Sequence, residues 1–159
     1  MSPRTKQQFE EIRTKKKELI RTKALKLFAQ RGYHTTTISM IAHDAGISKG
    51  LLYNYYSSKE ELLRDLIARG LQQLMESVDP DEDGVLTSDE LAYMIKLNKE
   101  ILTRDRSFWS LYFSILAQPS VLEIVKSEIM DLYDNILNMF TDYFRREGYE
   151  DPQTEALML

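Results

Sequence analysis

The sequence contains no cysteine, which excludes a disulfide framework and any thiolate metal site. Proline and glycine are scarce, four and six among 159 residues, and strand-like alternation of apolar and polar residues is absent. No apolar run approaches the ~20 residues that a membrane-spanning helix needs, and the polar N-terminus does not resemble a signal peptide. These absences predict a cytoplasmic, all-α protein that has no membrane partner.

The two signs of charge are unevenly divided along the chain. Residues 1–70 hold 14 lysines and arginines against 7 aspartates and glutamates, a formal charge of +7, whereas residues 71–159 hold 7 against 18, a charge of −11. A basic N-terminal half joined to an acidic C-terminal half favours contact of one end with a polyanion. A solvated basic face that binds nothing is the alternative.

Apolar residues recur at helical spacing along most of the chain, and glycine, proline and capping residues separate the helices. We expect helices at about 13–30, 38–45, 49–56, 58–78, 88–103, 107–117 and 121–146, and one more from Asp151 onward. Residues 1–12 are polar and are expected to fray. The last residues, up to Leu159, are apolar, so we expect the C-terminal bundle to be truncated there.

This helix order predicts two domains. The first, residues 1–57, is a three-helix helix-turn-helix domain, and the second, residues 58–159, is a helical bundle for effector binding and dimerisation. An acidic loop at 79–90 lies within the second domain.

The segment ISMIAHDAGISKGLLYNY, residues 38–55, has the pattern of a helix-turn-helix. Gly46 suits a tight turn that needs positive φ. The residues expected to face inward are Ile38, Ile41, Ala42, Ile47, Leu52 and Tyr55. In this motif the N-terminal part of the second helix enters the major groove of DNA. An αα-corner that packs but binds nothing is the alternative.

The exposed residues of the second helix are candidates for DNA contact. Asn54 can hydrogen-bond base edges, and Lys49 can reach a guanine or a phosphate. Tyr53 can donate to a phosphate, as can Thr37 and Lys59. Gly50 costs the helix roughly 1 kcal/mol relative to alanine, which is understandable if the backbone must approach DNA closely.

Residues 21–63, RTKALKLFAQRGYHTTTISMIAHDAGISKGLLYNYYSSKEELL, closely resemble the N-terminal domain of TetR-type (tetracycline-repressor-like) transcriptional regulators. The shared landmarks include R-G-Y at 31–33, A-G-I-S-K-G at 45–50 and K-E-E-L at 59–62. The resemblance implies a homodimer that binds a pseudo-palindromic double-stranded DNA operator, usually as a repressor. It also implies that a small apolar or amphipathic effector binds the C-terminal domain and releases the DNA.

The resemblance also implies a set of DNA-contacting residues. Carried over by position, the set is Thr37, Ser48, Lys49, Gly50, Tyr53, Asn54 and Lys59. Leu51 stands where the family often has threonine, and its side chain is suited to contact a thymine methyl group. Family members usually have two further long helices that form the dimer interface, and this chain ends where the first of them would begin.

The loop DPDEDGVLTSDE, residues 79–90, has the spacing of an EF-hand calcium loop, in which oxygen ligands come from positions one, three, five, seven, nine and twelve and glycine stands at six. The corresponding ligands are Asp79, Asp81, Asp83, the Val85 carbonyl, Thr87 through water, and Glu90. The spacing predicts a Ca²⁺ site that would fix the angle between the flanking helices. The hypothesis is that Ca²⁺ thereby biases the spacing of the two recognition helices of a dimer, or else only staples the joint.

Two observations favour the alternative that this loop binds no ion. Residues 87–90 also form a helix capping box, with Thr87 as cap and Glu90 three residues later. EF-hands normally pair, and the sequence has one such loop. If the loop is an ion site, a calcium-binding helical module without DNA-binding activity remains a second hypothesis for the chain.

Four aromatic residues form a dense cluster on the sixth predicted helix: Phe108, Trp109, Tyr112 and Phe113. They could line an effector pocket, although a helical bundle needs aromatic core residues too, and that interpretation is favoured for any single one. No P-loop, dinucleotide-binding or metallohydrolase motif is present. We therefore expect no enzymatic activity.

Overall fold

The computed structural model describes residues 6–81 and 83–158, and within these ranges it contains α-helices and no strand. The helices are α1 (Lys6–Arg31), α2 (Ile38–Asp44), α3 (Lys49–Tyr53), α4 (Lys59–Val78), α5 (Ser88–Arg104), α6 (Arg106–Leu116), α7 (Pro119–Ile124), α8 (Lys126–Arg146) and α9 (Pro152–Leu157). The all-α prediction is confirmed. No helix in the described ranges is both long enough and apolar enough to cross a membrane.

Several helix ends lie where the sequence predicts them. Helix α4 ends at Val78, and Asp151 caps α9 by accepting a hydrogen bond from the Thr154 amide at 3.2 Å. Two expectations were wrong. Helix α1 already begins at Lys6, since residues 6–12 are mostly good helix formers. The expected helix 121–146 is two helices, because Val125, which is fully buried, leaves helical geometry at φ −106° and ψ 16°.

The chain forms two compact units. The first comprises residues up to 66 together with 110–124, and the second comprises 67–109 together with the residues from 125 onward. Helices α4 and α6 therefore contribute residues to both units. The predicted boundary at 57/58 coincides with the start of α4, and its role as a domain boundary stays a prediction.

The core of the first unit is apolar and draws on all of its helices. Ile20 and Phe28 of α1, Ile41 of α2, Leu52 of α3 and Leu62 of α4 are all fully buried. Residues 110–124 add three more buried side chains, Tyr112, Ile115 and Val121. Each such side chain stabilises the fold by roughly 1.5–3 kcal/mol relative to an exposed one, so this core fixes how α2 and α3 sit on α1.

Tyr56, not Tyr55, is the buried tyrosine after α3, and the expectation for Tyr55 was wrong. Tyr56 is 1% exposed, and its hydroxyl donates to Asp65 Oδ2 at 2.5 Å, which also accepts from Arg21 Nη1 at 3.0 Å. Tyr55 is half-buried beneath the Arg13 guanidinium, 5.4 Å from its ring centroid. The short α3 ends at Tyr53, so the following turn directs Tyr56 inward.

Burial alone would raise the pKa of the Asp65 carboxyl, but the hydrogen bonds from Tyr56 and Arg21 and the Arg21 charge outweigh it and hold the pKa below its usual value. Burial and the hydrogen bond to Asp65 raise the pKa of Tyr56. The three side chains therefore join α1, the end of the helix-turn-helix and α4 through one charged network.

The second unit has its core where α4, the acidic loop, α8 and α9 meet. Its buried residues are Val78, Leu86, Met139, Phe140, Phe144 and Ala156. Leu86 comes from the middle of the acidic loop and is fully buried. Its carbonyl accepts from the Arg146 guanidinium, and the hydroxyls of Ser88 and Tyr143 lie 3.3 Å apart. The acidic loop is thus held against the C-terminal end of α8.

Candidate nucleic-acid interface

The turn between α2 and α3 is a Schellman motif. The Gly46 amide donates to the His43 carbonyl at 3.0 Å and the Ile47 amide donates to the Ala42 carbonyl at 3.0 Å. Gly46 has φ +63°, as predicted for the turn. Ile38, Ile41, Ala42 and Leu52 are buried as predicted, so the two helices are held together in a helix-turn-helix.

Two predicted DNA-contacting residues cap the helices of this motif. The Thr37 hydroxyl oxygen accepts from the Met40 amide at 3.2 Å, and the Ser48 hydroxyl oxygen accepts from the Leu51 amide at 3.1 Å. A hydroxyl that accepts in this way can still donate its own proton. Both residues are exposed, so each can cap its helix and donate to a DNA phosphate at once.

Four more of the predicted contacts lie on α3 or at its C-terminal cap. Lys49, Gly50, Tyr53 and Asn54 are all exposed. A Cβ added to Gly50 would meet nothing within 4 Å, so the protein itself does not require glycine there. Leu51 is 38% exposed on the same short helix, which leaves its side chain available for an apolar contact.

An open pocket of about 300 Å³ brings four of the seven predicted residues together. Its lining residues are His34, Thr36, Thr37, Ile38, Ser39, Lys49, Tyr53 and Lys59. The pocket lies beside the first turn of α2, where backbone N–H groups favour negative charge. Hydroxyl donors and lysines around such a position suit an anionic oxygen such as that of a DNA phosphate.

Lys59 is oriented differently from the other predicted residues. Its ammonium group donates to the carbonyls of Tyr33 at 2.8 Å, Thr36 at 3.0 Å and His34 at 3.4 Å. The side chain is half-buried, and burial lowers the pKa of Lys59. A phosphate contact from Lys59 therefore stays a prediction that has to compete with these three carbonyls.

Gln118 also belongs to this region, although the sequence did not predict it. Its side-chain amide contacts the backbone of Phe28 and Tyr33, at 3.0 and 2.9 Å respectively. Those residues are 90 and 85 positions away along the chain, and no local pattern marks the pairing. Only the folded first unit brings them together.

The acidic loop brings three predicted calcium ligands together. Asp79, Asp81 and Asp83 each offer a carboxylate oxygen, and these oxygens lie within 4.8 Å of one another. Oδ1 of Asp79 is buried without a hydrogen-bond partner, while Oδ2 accepts from the Gly84 amide at 3.1 Å. Gly84 has φ +75°, as position six of the loop requires. The neighbouring Glu82 lies outside the described residues.

The other predicted ligands are arranged as expected if residues 87–90 form a helix capping box. Glu90 Oε2 accepts from the Thr87 amide and hydroxyl, both at 2.8 Å, and the Glu90 amide donates to the Thr87 hydroxyl at 3.2 Å. This is a reciprocal capping box at the start of α5. The Val85 amide donates to Asp83 Oδ1 at 2.7 Å. An ion that took Glu90 Oε2 as a ligand would compete with the two hydrogen bonds that this oxygen accepts from Thr87.

The aromatic residues of α6 differ in burial. Trp109 and Tyr112 are 3% and 0% exposed, Phe108 is half-buried, and Phe113 is 47% exposed. Phe108 packs edge-on against Trp109 in the second unit, and Tyr112 against Phe113 in the first. The buried Trp109 and Tyr112 are core residues, as expected for aromatic side chains in a helical bundle. An effector pocket formed by all four aromatic residues stays a prediction.

Comparison with known proteins supports the helix-turn-helix assignment. Residues 20–66 match the model of the family described as "Bacterial regulatory proteins, tetR family". The "Fatty acid metabolism regulator protein" of Bacillus subtilis is 29% identical over 118 residues, which are 72% of this chain and 60% of that protein. The biofilm operon negative transcriptional regulator IcaR of Staphylococcus epidermidis is 28% identical over 141 residues, which are 89% of this chain and 72% of IcaR.

Solved structures extend the similarity to the whole fold. A transcriptional regulator from Aquifex aeolicus superimposes with a TM-score of 0.65 at 20% identity, over 90% of this chain and 79% of that one. The fatty acid degradation regulator FadR of Bacillus halodurans gives 0.64 at 21% identity, over 90% and 77%. The chain thus has a TetR-type helix-turn-helix region and a TetR-like all-helical fold.

The chain matches only part of the length of several curated relatives. The chain spans 60% of the length of the B. subtilis fatty acid metabolism regulator and 18% of two other bacterial regulators that are 50% identical over shorter stretches. All of these relatives are described as regulators and not as enzymes, in agreement with the prediction from the sequence.

Proposed function

We propose that this chain is a DNA-binding transcriptional regulator that acts as a homodimer on a pseudo-palindromic operator. The observation that carries the proposal is the exposed polar face of α3 beside the capped start of α2. The motif that holds this face has Ile38, Ile41, Ala42 and Leu52 buried on its inner side. A packing αα-corner would not require Lys49 and Tyr53 to line one open pocket with Asn54 exposed after them.

Each exposed residue has a distinct role in this proposal. Lys49 and Asn54 contact base edges in the major groove, since their donors and acceptors match those of guanine and adenine. The hydroxyls of Thr37, Ser48 and Tyr53 contact phosphates and set the position of α3 on the duplex. Gly50 lets the α3 backbone come close to the DNA.

The charge distribution supports the same orientation. The basic half of the chain includes the helix-turn-helix, and the acidic half lies beyond it. Positive charge near the interface steers the protein towards DNA, while negative charge elsewhere keeps the rest of the molecule away from it. A regulator of chromosomal DNA would work in the cytoplasm of a bacterium.

Repression and an effector are further parts of the proposal. IcaR is described as a negative regulator, which favours repression. The predicted effector is small and apolar or amphipathic, and two relatives are named for the metabolism or degradation of fatty acids, which belong to that chemical class. Release of DNA on addition of fatty acids would support this part, and unchanged binding across a panel of them would remove it.

The proposal can be tested with duplexes that the full chain selects from a randomised library. Affinity is measured by fluorescence anisotropy at several salt concentrations for the wild type, Lys49→Ala and the control Lys96→Ala, an exposed lysine of α5. We expect a binding constant that falls steeply with salt, about a tenfold loss for Lys49→Ala, as for one base contact, and little change for Lys96→Ala. Failure to enrich any sequence would reject the proposal.

The acidic loop supports a second, separable proposal, that the chain binds Ca²⁺ through Asp79, Asp81 and Asp83, with the Val85 carbonyl, Thr87 and Glu90 completing the shell. The buried, unpartnered Oδ1 of Asp79 supports it, because a buried carboxylate oxygen is unfavourable without a partner or a cation. Leu86, fully buried in a core with residues of α8 and α9, holds the loop in place.

Titration calorimetry of metal-stripped protein with Ca²⁺, in millimolar Mg²⁺, tests this site. One-site binding that is lost in an Asp79→Ala/Glu90→Gln variant supports the site. Equal heats for the two proteins would show that the loop is a capped turn that binds no Ca²⁺. If Ca²⁺ binds, operator affinity in Ca²⁺ and in chelator separates a switch from a structural staple. Calcium binding without any DNA binding would favour the calcium-binding module over the regulator.

A further inference from the structure

The backbone of Tyr33, in the loop between α1 and α2, is held from two sides. Its N–H donates to Gln118 Oε1 at 2.9 Å, and its C=O accepts from Lys59 Nζ at 2.8 Å. Gln118 follows α6 and Lys59 begins α4, so two distant segments of the first unit contact the same residue. The Tyr33 ring is buried against Phe28, with their ring centroids 5.3 Å apart.

Gln118 uses both ends of its side-chain amide. While Oε1 accepts from Tyr33, Nε2 donates to the Phe28 carbonyl at 3.0 Å. The same Phe28 carbonyl accepts the Gly32 amide at 3.0 Å at the end of α1. Gln118 therefore adds a hydrogen bond at the C-terminal cap of α1 and a second one to the backbone just after it.

Lys59 directs its ammonium group at the other side of the loop. A lysine has three N–H donors, and the carbonyls of Tyr33, His34 and Thr36 provide three acceptors. The ammonium also lies 4.3 Å from the Tyr33 ring centroid, within the range of a cation–π interaction. Because the three N–H donors of Lys59 already bind carbonyls, its ammonium group is suited to ordering the loop and less suited to binding a phosphate.

The loop leads directly to the DNA-facing surface. Thr36 is fully buried, and its hydroxyl contacts the carbonyls of Leu27 and Gly32 at 3.2 and 2.9 Å. The next residue, Thr37, caps α2 and lines the open pocket. A shift of Tyr33 would therefore be transmitted through three residues to the start of α2.

We infer that Gln118 and Lys59 are positioning residues that clamp the Tyr33 peptide and thereby set the start of α2 for DNA binding. The inference rests on the proposed DNA-binding function. It replaces the phosphate contact expected of Lys59 with an indirect role, and it gives the segment after α6 a direct influence on operator affinity.

The test uses the full chain and the duplex that the wild type selects from a randomised library. The variants are Gln118→Leu, Lys59→Met and the double variant, with Gln153→Leu on the exposed face of α9 and Lys96→Met on α5 as matched controls. Anisotropy titrations give the affinity and its salt dependence, and hydrogen exchange measured by NMR gives the protection of the Tyr33 amide.

The inference predicts about a tenfold loss of affinity for Gln118→Leu and for Lys59→Met, as for one or two lost hydrogen bonds. The double variant should lose less than the product of the two, because either change alone releases the same loop. Tyr33 exchange should accelerate in Gln118→Leu and not in the controls. The slope of log affinity against log salt should stay that of the wild type in Lys59→Met.

A slope reduced by about 0.9 in Lys59→Met would show a direct phosphate contact and overturn the inference for that residue. Wild-type affinity in Gln118→Leu would overturn it for Gln118. If the wild type selects no duplex at all, the proposed function fails and the inference fails with it. If the wild type binds and the variants bind equally well, the inference alone fails.

Discussion

Replacing Leu86 by alanine should destabilise the second unit strongly, although Leu86 lies in a loop. The side chain is fully buried against Met139, Phe140, Phe144 and its other neighbours in the core of that unit. Leucine-to-alanine changes at such sites cost about 3–5 kcal/mol, because the transfer free energy is lost and a cavity remains. The adjacent Val85 is 41% exposed, so Val85→Ala is a matched control expected to cost no more than about 0.5 kcal/mol.

The single tryptophan makes the assay specific. Trp109 belongs to the same unit as Leu86 and is 3% exposed, so its fluorescence reports the unfolding of that unit. At an m-value of roughly 1.5 kcal/mol per M, a loss of about 3 kcal/mol lowers the urea midpoint by about 2 M. Leu86→Met, which keeps the volume, should lower it by less than about 1 M.

The order of the three midpoints decides the outcome. We expect the urea midpoint of Val85→Ala to lie nearest that of the wild type, the midpoint of Leu86→Met to be lower, and that of Leu86→Ala to be lowest. A Leu86→Ala midpoint equal to that of Val85→Ala would refute the burial of this residue and with it the docking of the loop against α8. If Leu86→Ala does not fold, the Leu86→Met midpoint still tests the order.

Three further outcomes are expected. Gly50→Ala should stabilise the protein by up to about 1 kcal/mol, because the added Cβ meets nothing within 4 Å, yet weaken operator binding; equal affinity would show that the α3 backbone does not approach DNA. Gly46→Ala should lower stability by roughly 1–2 kcal/mol in thermal unfolding, because φ is +63°, and an unchanged melting temperature would contradict this. Asp65→Asn should be less stable than the wild type at pH 7. Because the folded pKa of Asp65 is depressed, its contribution is present above about pH 4, the usual range of the group, and is lost as pH falls through the folded pKa. A stability gap that stays constant between pH 7 and pH 2 would argue against the network.

Local sequence patterns predict most features of the helix-turn-helix. Buried Ile38, Ile41 and Leu52, the positive φ of Gly46 and the caps at Thr37 and Ser48 follow from spacing and residue type within about 20 positions. These are short-range effects, so a single sequence is enough to predict them. The exposure of Lys49, Tyr53 and Asn54 follows from the same spacing.

The errors occurred where the local patterns were ambiguous. Tyr55 and Tyr56 are adjacent, and only the early end of α3 at Tyr53 decides which ring is buried. The segment 121–146 has helical spacing throughout, yet the buried Val125 leaves helical geometry and interrupts it. The acidic loop satisfies two patterns at once, and the structure shows the Thr87–Glu90 capping box together with the clustered aspartates.

By itself the sequence determined the helical class, most helix ends, the helix-turn-helix and the residues that face outward from α3, since periodicity, caps and glycine turns act between near neighbours. Only the tertiary structure decided that Lys59 binds the carbonyls of the α1–α2 loop, that Gln118 contacts Tyr33 from the other side, and that Leu86 joins a core with α8 and α9. These contacts join residues 26, 85 and more than 50 positions apart. They form because packing the apolar faces of the helices brings those segments together, and no local pattern in the chain specifies that packing.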